Sequence, residues 1–305
     1  MIAGSQLQAH RAICQFSRLP VNPHPFPHVQ HQEFIDPQIY QELAQSFPTC
    51  PSSTGPTGHS LYWGDSEYQK LLDNVPGWRG LFDTFHSQAF IDWAREQFAP
   101  YWTELGCTID LSKARYVPYR EDRVDKELAA LRVVEHEPEE LWVRLDIHQG
   151  QIGYTRAVHV DHRRRLLSML VYFCDQQEIQ MHGGELLLHD AEGRVTTRVL
   201  PQHNLMVAFP CAVNSTHSVA PITALAAPRN YVQVHISGSV DIWDDSVERK
   251  RTAYERIGSA KPYSFASPAT AVATKTYAGP HKIVWISMKA AQSCWERSRE
   301  RRILL

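Results

Sequence analysis

The chain has 305 residues, 43% hydrophobic and 21% charged, enough for one large domain or two small ones with a real core. Its 31 basic and 33 acidic residues leave a formal charge of −2, so nucleic acid is not expected as a partner. Six cysteines stand far apart with no CxxC pair, which argues against a structural zinc site and a disulfide framework. Sixteen histidines, by contrast, make a metal site worth seeking. The opening residues, MIAGSQLQAHRAICQFSRLP, contain no apolar secretory core, and the longest apolar run, Leu166 to Cys174, is too short for a bilayer. The expectation is a soluble, cytoplasmic protein without a membrane partner; its oligomeric state stays open.

In chain order, residues 1–30 are rich in Pro and His and read as an irregular arm. Asp36-Pro37 starts a helix, with Asp as N-cap and Pro at the first helical position, and Pro48 stops it after Phe47. Residues 49–59 read as a loop by composition. Helices are predicted over 65–75 and from Ser87 to about Leu105, the second with Phe90, Trp93, Ala94 and Phe98 on one face. Residues 112–140 are strongly charged and suggest an insert or a solvated helix, with a lid over the site as one use for them.

The hydrophobic period then changes from 3.6 to 2. Val143, Leu145 and Ile147 alternate with Arg144, Asp146 and His148, the pattern of a half-buried strand. Further strands are predicted at 154–160, 166–173, 185–189, 196–200, 204–209 and 231–237. Turns fall at Gly183-Gly184, Glu192-Gly193 and Pro201-Gln202. Short strands without intervening helices imply a sandwich or jelly roll. Helix returns at 247–257 and in a basic stretch at 289–302. The organisation expected is an arm at 1–30, a helical region at 31–140 with its charged insert, a β-core at 141–240 and a helical end at 241–305, together one compact catalytic domain.

Only His31-Gln-Glu33 and His159-Val-Asp161 read His-x-(Asp/Glu). The first precedes a helix in the irregular arm. The second lies in a strand-like run, where residues i and i+2 share a face, so both side chains can reach one metal. One further histidine would complete a 2-His-1-carboxylate triad that leaves open positions on Fe(II). A bland reading, an ordinary His–Asp pair on a strand, uses the same two residues.

The surrounding pattern decides between them. After HxD come an apolar strand ending in Tyr172, Gly183-Gly184-Glu185-Leu186, a strand ending in Phe209-Pro210, His217-x-Val219-x-Pro221, and Arg229 opening the last strand. This order over 141–238 resembles the 2-oxoglutarate/Fe(II)-dependent dioxygenases, in their prolyl 4-hydroxylase-like branch. The N-terminal FPHVQHQEFID followed by a helix ending in Phe-Pro is similar to the start of many members.

The resemblance implies a mainly β fold with flanking helices, around a double-stranded β-helix (a jelly roll, cupin-like). It implies His159, Asp161 and His217 as Fe(II) ligands, with Arg229 and Tyr172 on the distal carboxylate of 2-oxoglutarate. A planar guanidinium suits a carboxylate better than a lysine does. If Arg229 points into the barrel, so do Tyr231, Gln233 and His235, while Val232, Val234 and Ile236 face the helices. Gln233 is then a cosubstrate contact and His235 a substrate contact, or both make internal hydrogen bonds. Tyr154 and Arg156 at the pocket mouth, and His162 and Arg163 in a basic rim, are further substrate contacts, with a solvated loop as the alternative.

The implied activity uses Fe(II), 2-oxoglutarate and O2 to hydroxylate an unactivated C–H bond of an amino acid, peptide or small natural product, giving succinate and CO2. Desaturation and cyclisation stay open, while the carboxylate of Asp161 disfavours halogenation. Two rivals remain on sequence alone: a cupin-like metal enzyme without 2-oxoglutarate, and a non-catalytic ligand-binding β-sandwich.

Overall fold

The computed structural model describes residues 13–14, 16–51, 58–121 and 136–244. In chain order these form β1 (Val29–His31), α1 (Pro37–Gln45), β2 (Gly58–Leu61), α2 (Ser66–Asn74), α3 (Pro76–Phe85) and α4 (Gln88–Gln97). A 3₁₀ turn at Leu111–Lys113 leads to β3 (Arg115–Tyr116), then β4 (Glu140–Gly150), β5 (Arg156–His159), β6 (Arg165–Tyr172) and β7 (Leu186–His189). The described part closes with β8 (Val195–Val199), β9 (Met206–Pro210), β10 (His217–Val219) and β11 (Arg229–Ser237). The predicted helices at 247–257 and 289–302 lie outside the described residues.

Two antiparallel sheets face each other. The larger runs β1-β9-β6-β11-β4-β2, with β3 added in parallel to β4; the smaller runs β5-β10-β7-β8. This is a double-stranded β-helix, and its period-2 patterning explains where the core sits. On β4, β6 and β11 one face, Val143, Leu145, Ile147, Met169, Val171, Val232, Val234 and Ile236, packs against Leu43, Leu72, Trp78, Leu81, Phe85 and Phe90 of the helices. The other face of the large sheet supplies Leu170 and Tyr172 of β6, Val207 and Phe209 of β9 and Tyr231 of β11, which meet Leu186, Leu188 and Val199 of the small sheet. Each such fully buried apolar side chain contributes about 1.5–3 kcal/mol, so this layer of helices holds the large sheet rigidly from behind.

The expected caps form where the sequence puts them. Asp36 accepts hydrogen bonds from the backbone N–H groups of Gln38 and Ile39, and Pro37 occupies the first turn of α1. Ser87 accepts from Phe90 N at the start of α4.

Four expectations need correction. The helix from Ser87 stops at Gln97 and continues only as turns, because the residue before Pro100 is biased away from helical backbone. The loop at 49–59 yields a strand at its end, Gly58–Leu61, recruited by hydrogen bonding to β4. Tyr154 stands in a turn whose Gly153 has φ +88°, so β5 begins only at Arg156. Finally, β4 is buried on both faces: Arg144, Asp146 and His148 point into the space between the sheets and not into solvent. Arg144 makes two contacts of 2.9 Å with Asp146 and one of 3.3 Å with Glu121, which replaces the hydration it has lost. Glu121 belongs to the charged stretch 112–140, of which residues 122–135 lie outside the described residues.

Candidate metal centre and anion pocket

Strand β5 of the small sheet presents His159, and its neighbour β10 presents His217 directly opposite, with ring centroids 4.3 Å apart. Asp161 follows two residues after His159. One ligand atom from each of His159, Asp161 and His217 lies within 4.8 Å of the others, a spacing that one ion can bridge.

The hydrogen bonds around the three fix their chemistry. His159 Nδ1 donates to the carbonyl of Ala157 at 2.7 Å, and His217 Nδ1 donates to that of Ser215 at 2.9 Å. Each ring is thereby held in the tautomer whose Nε2 carries a free lone pair. Burial pushes the His217 imidazole down to about 4 and lowers His159 too, so both are neutral, as ligands must be. Burial alone would raise the Asp161 carboxyl, but the Arg165 guanidinium, 2.8 Å away, and the surrounding imidazoles outweigh it and hold the group ionised. The buried thiol of Cys211 also donates to Asp161, at 3.6 Å. The donor set of two neutral imidazoles and one carboxylate fits a divalent iron.

The same cavity ends at a second polar feature. Arg229, the first residue of β11, is 0% exposed. Its Nε donates to the carbonyl of Gly184 at 2.8 Å and its Nη2 to the hydroxyl of Tyr172 at 3.3 Å. The rings of Tyr172 and Tyr231 lie 5.1 and 4.5 Å from the guanidinium carbon. Nη1 has no hydrogen-bond partner, and no carboxylate among the described residues pairs with this cation. An unbalanced buried guanidinium in the same cavity as the His159–Asp161–His217 cluster fits a dicarboxylate held at one end. The turn that aims the Gly184 carbonyl needs its glycines. Gly183 has φ +81°, and a Cβ there would meet Pro221 O at 1.8 Å.

Of the other residues singled out from sequence, Gln233, His235, Tyr154 and Arg156 all line this cavity. Tyr154 and Tyr231 share a hydroxyl–hydroxyl bond of 2.9 Å. His235 is 2% exposed with no partner on Nδ1. His162 and Arg163 stand elsewhere: the His162 ring accepts from Arg164 N, while Arg163 donates to the Trp243 carbonyl at 2.9 Å and approaches Asp241. The chain turns sharply after Asp161 to enter β6, and that turn carries both side chains off the cavity.

Sequence reading missed Ser60, Tyr62 and His148 on the cavity wall. His148 bonds Ser60 Oγ at 2.7 Å and stacks on Tyr231 at 4.9 Å. Its signal was present in β4, where its parity matches Arg144 and Asp146, once that face is known to be the inside.

The two-sheet core and this site are similar to those of the 2-oxoglutarate/Fe(II)-dependent oxygenases. Residues 145–236 match the model of the 2OG-Fe(II) oxygenase superfamily, a stretch that runs from within β4 into β11 and holds the whole small sheet but not β1, β2 or β3. The family's cofactor is Fe(II), with 2-oxoglutarate and O2 as cosubstrates. Among solved structures, a prolyl 4-hydroxylase from Phytophthora capsici is similar at 14% identity and TM-score 0.44, covering 74% of this chain and 68% of that one. An oxidoreductase of the 2OG-Fe(II) oxygenase family from Burkholderia pseudomallei is similar at 11% identity and TM-score 0.43, covering 71% and 86%. A prolyl 4-hydroxylase from Pseudomonas putida is similar at 14% and 0.39, covering 69% and 92%. No curated protein matches the chain in sequence. Among the described residues, no helix is long and apolar enough to cross a membrane.

Proposed function

We propose that the protein hydroxylates an unactivated C–H bond of an amino acid, a peptide or a small natural product, releasing succinate and CO2. His159, Asp161 and His217 hold Fe(II); Arg229 and Tyr172 hold the distal carboxylate of 2-oxoglutarate, with Gln233 beside it. The observation that carries this reading is the buried guanidinium of Arg229, with a free Nη1, in the same cavity as the triad. A cupin-like enzyme with no dicarboxylate to bind has no use for that charge.

When bound, Fe(II) with 2-oxoglutarate and O2 supplies the oxidising power for C–H cleavage. The chain's own residues set the conditions. The Ala157 and Ser215 carbonyls hold both imidazoles in one tautomer, and Arg165 keeps Asp161 ionised and fixed in orientation. Tyr172 and Gly184 fix the Arg229 fork before any ligand arrives, which lowers the entropy lost on binding. Leu170, Leu186 and Val219 give the cavity apolar wall that limits water.

Anaerobic visible spectroscopy tests the reading. Adding 2-oxoglutarate to the Fe(II) protein is expected to produce a weak metal-to-ligand charge-transfer band, absent in His159→Ala. Bound iron without a band would favour the cupin-like enzyme, and no bound metal would favour a binding module.

A further inference from the structure

Resting on the oxygenase reading, we propose that Arg156 anchors a carboxylate of the prime substrate, so that the enzyme acts on an acid and not on a neutral molecule. The cavity is lined by three guanidiniums, Arg156, Arg165 and Arg229, and by one carboxylate, Asp161. Arg165 is paired with Asp161 at 2.8 Å. Arg229 is sealed at the inner end, where the cosubstrate's distal carboxylate answers it. Arg156 is the one left over: among the described residues its side chain has no hydrogen bond or ion pair, and it lies exposed at the mouth of the cavity.

An exposed arginine alone means little, but the backbone aims this one. Arg156 and His159 are three residues apart, and in a regular strand they would point to opposite faces. Strand β5 is irregular at this place: His159 pairs with His217 and Arg156 with Val219, three steps on one strand against two on the other. The extra residue is a β-bulge, and it turns Arg156 to the same side as the metal-binding histidine. Val219 and His217, their partners, both line the cavity too. The bulge thus sets a cation at the entrance, on the wall that also carries two of the three metal-binding side chains. An acid entering from solvent meets Arg156 first and keeps its carboxylate there, while Arg229 at 0% exposure is reached only through the cavity. A guanidinium pairs with a carboxylate through two parallel hydrogen bonds, a geometry a neutral amide does not match. Arg163, expected from sequence as a substrate contact in a basic rim, is turned away and engaged with Trp243 and Asp241.

The test uses the full chain loaded with Mn(II) and 2-oxoglutarate, titrated with acetate and, as its neutral match, acetamide. Relaxation of the probe's methyl protons by bound Mn(II) reports occupancy near the metal. Acetate is expected to bind saturably and acetamide far more weakly. Arg156→Gln should weaken acetate by about fivefold or more, Arg156→Lys should restore part of it, and added salt should narrow the gap, as for any exposed charge pair. Equal binding of acetate and acetamide, or acetate binding untouched in Arg156→Gln, would overturn the proposal, the latter by showing attachment to the metal alone. A matching rise in the half-saturating 2-oxoglutarate would overturn it as well, making Arg156 a cosubstrate residue. Failure of the oxygenase reading looks different: the wild-type Fe(II) protein would show no charge-transfer band with 2-oxoglutarate.

Discussion

Arg229 has lost all contact with water and recovered only part of what it lost. Gly184 and Tyr172 take two of its N–H groups, two tyrosine rings cover its faces, and Nη1 is left open toward the cavity. A lysine at this position would keep the charge but not the fork, because its ammonium cannot hold Gly184 and a carboxylate in one plane. Hydrogen bonds to charged groups are worth about 1.5–3 kcal/mol, so Arg229→Lys should raise the half-saturating 2-oxoglutarate by roughly 10–100-fold with bound iron unchanged. Titrating the charge-transfer band with 2-oxoglutarate measures this directly. An unchanged midpoint would mean that the cosubstrate does not end at Arg229.

At the scale of elements, legibility followed how much of each element's reason for existing was local. α1 was readable because Asp36 and Pro37 make its start and Tyr40 and Leu43 its buried face. β6 was readable as a near-continuous apolar run, and β11 because Val232, Val234 and Ile236 alternate with Tyr231, Gln233 and His235. The HxD pair was readable from its two-residue spacing, although β5 ends at His159 and Asp161 lies just past it. By contrast β1, β2 and β10 have three or four residues each, and only tertiary pairing makes them strands. α3 begins Pro76-Gly77 and carries Gly80, a composition that looks like a loop until Trp78, Leu81, Phe82 and Phe85 bury one face. The bulge in β5, and with it the aim of Arg156, depends on a partner strand some sixty residues away. Local capping gives this scale its own prediction. Asp36→Ala removes both hydrogen bonds at the start of α1 and should lower stability by about 1 kcal/mol, read as a shift of the urea midpoint with unchanged slope. No shift would mean that packing alone holds α1.

The whole molecule places its site between two sheets: His159 and His217 come from the small one, Arg229, Tyr172, Gln233 and His235 from the large one. Such a site needs interior polar groups, and several histidines are buried in the neutral form as a result. Burial lowers His217 and His235, and outside the site it lowers His86, which stacks on Phe82 at 3.7 Å and donates to the Phe82 carbonyl at 2.8 Å. His86 falls to about 3, chiefly from burial and secondly from the Arg120 charge. The unfolded chain has an ordinary imidazole near 6.5, so between that value and 3 the unfolded state binds a proton that the folded state refuses. Stability from this group is therefore complete above about pH 6.5 and falls as pH drops toward 3, at up to about 1.4 kcal/mol per pH unit. In metal-free protein the urea midpoint should decline over pH 6.5 to 4, and His86→Gln, which cannot titrate, should flatten that decline by the contribution of one proton. An identical slope in the variant would show that the acid sensitivity lies elsewhere, with the histidines between the sheets.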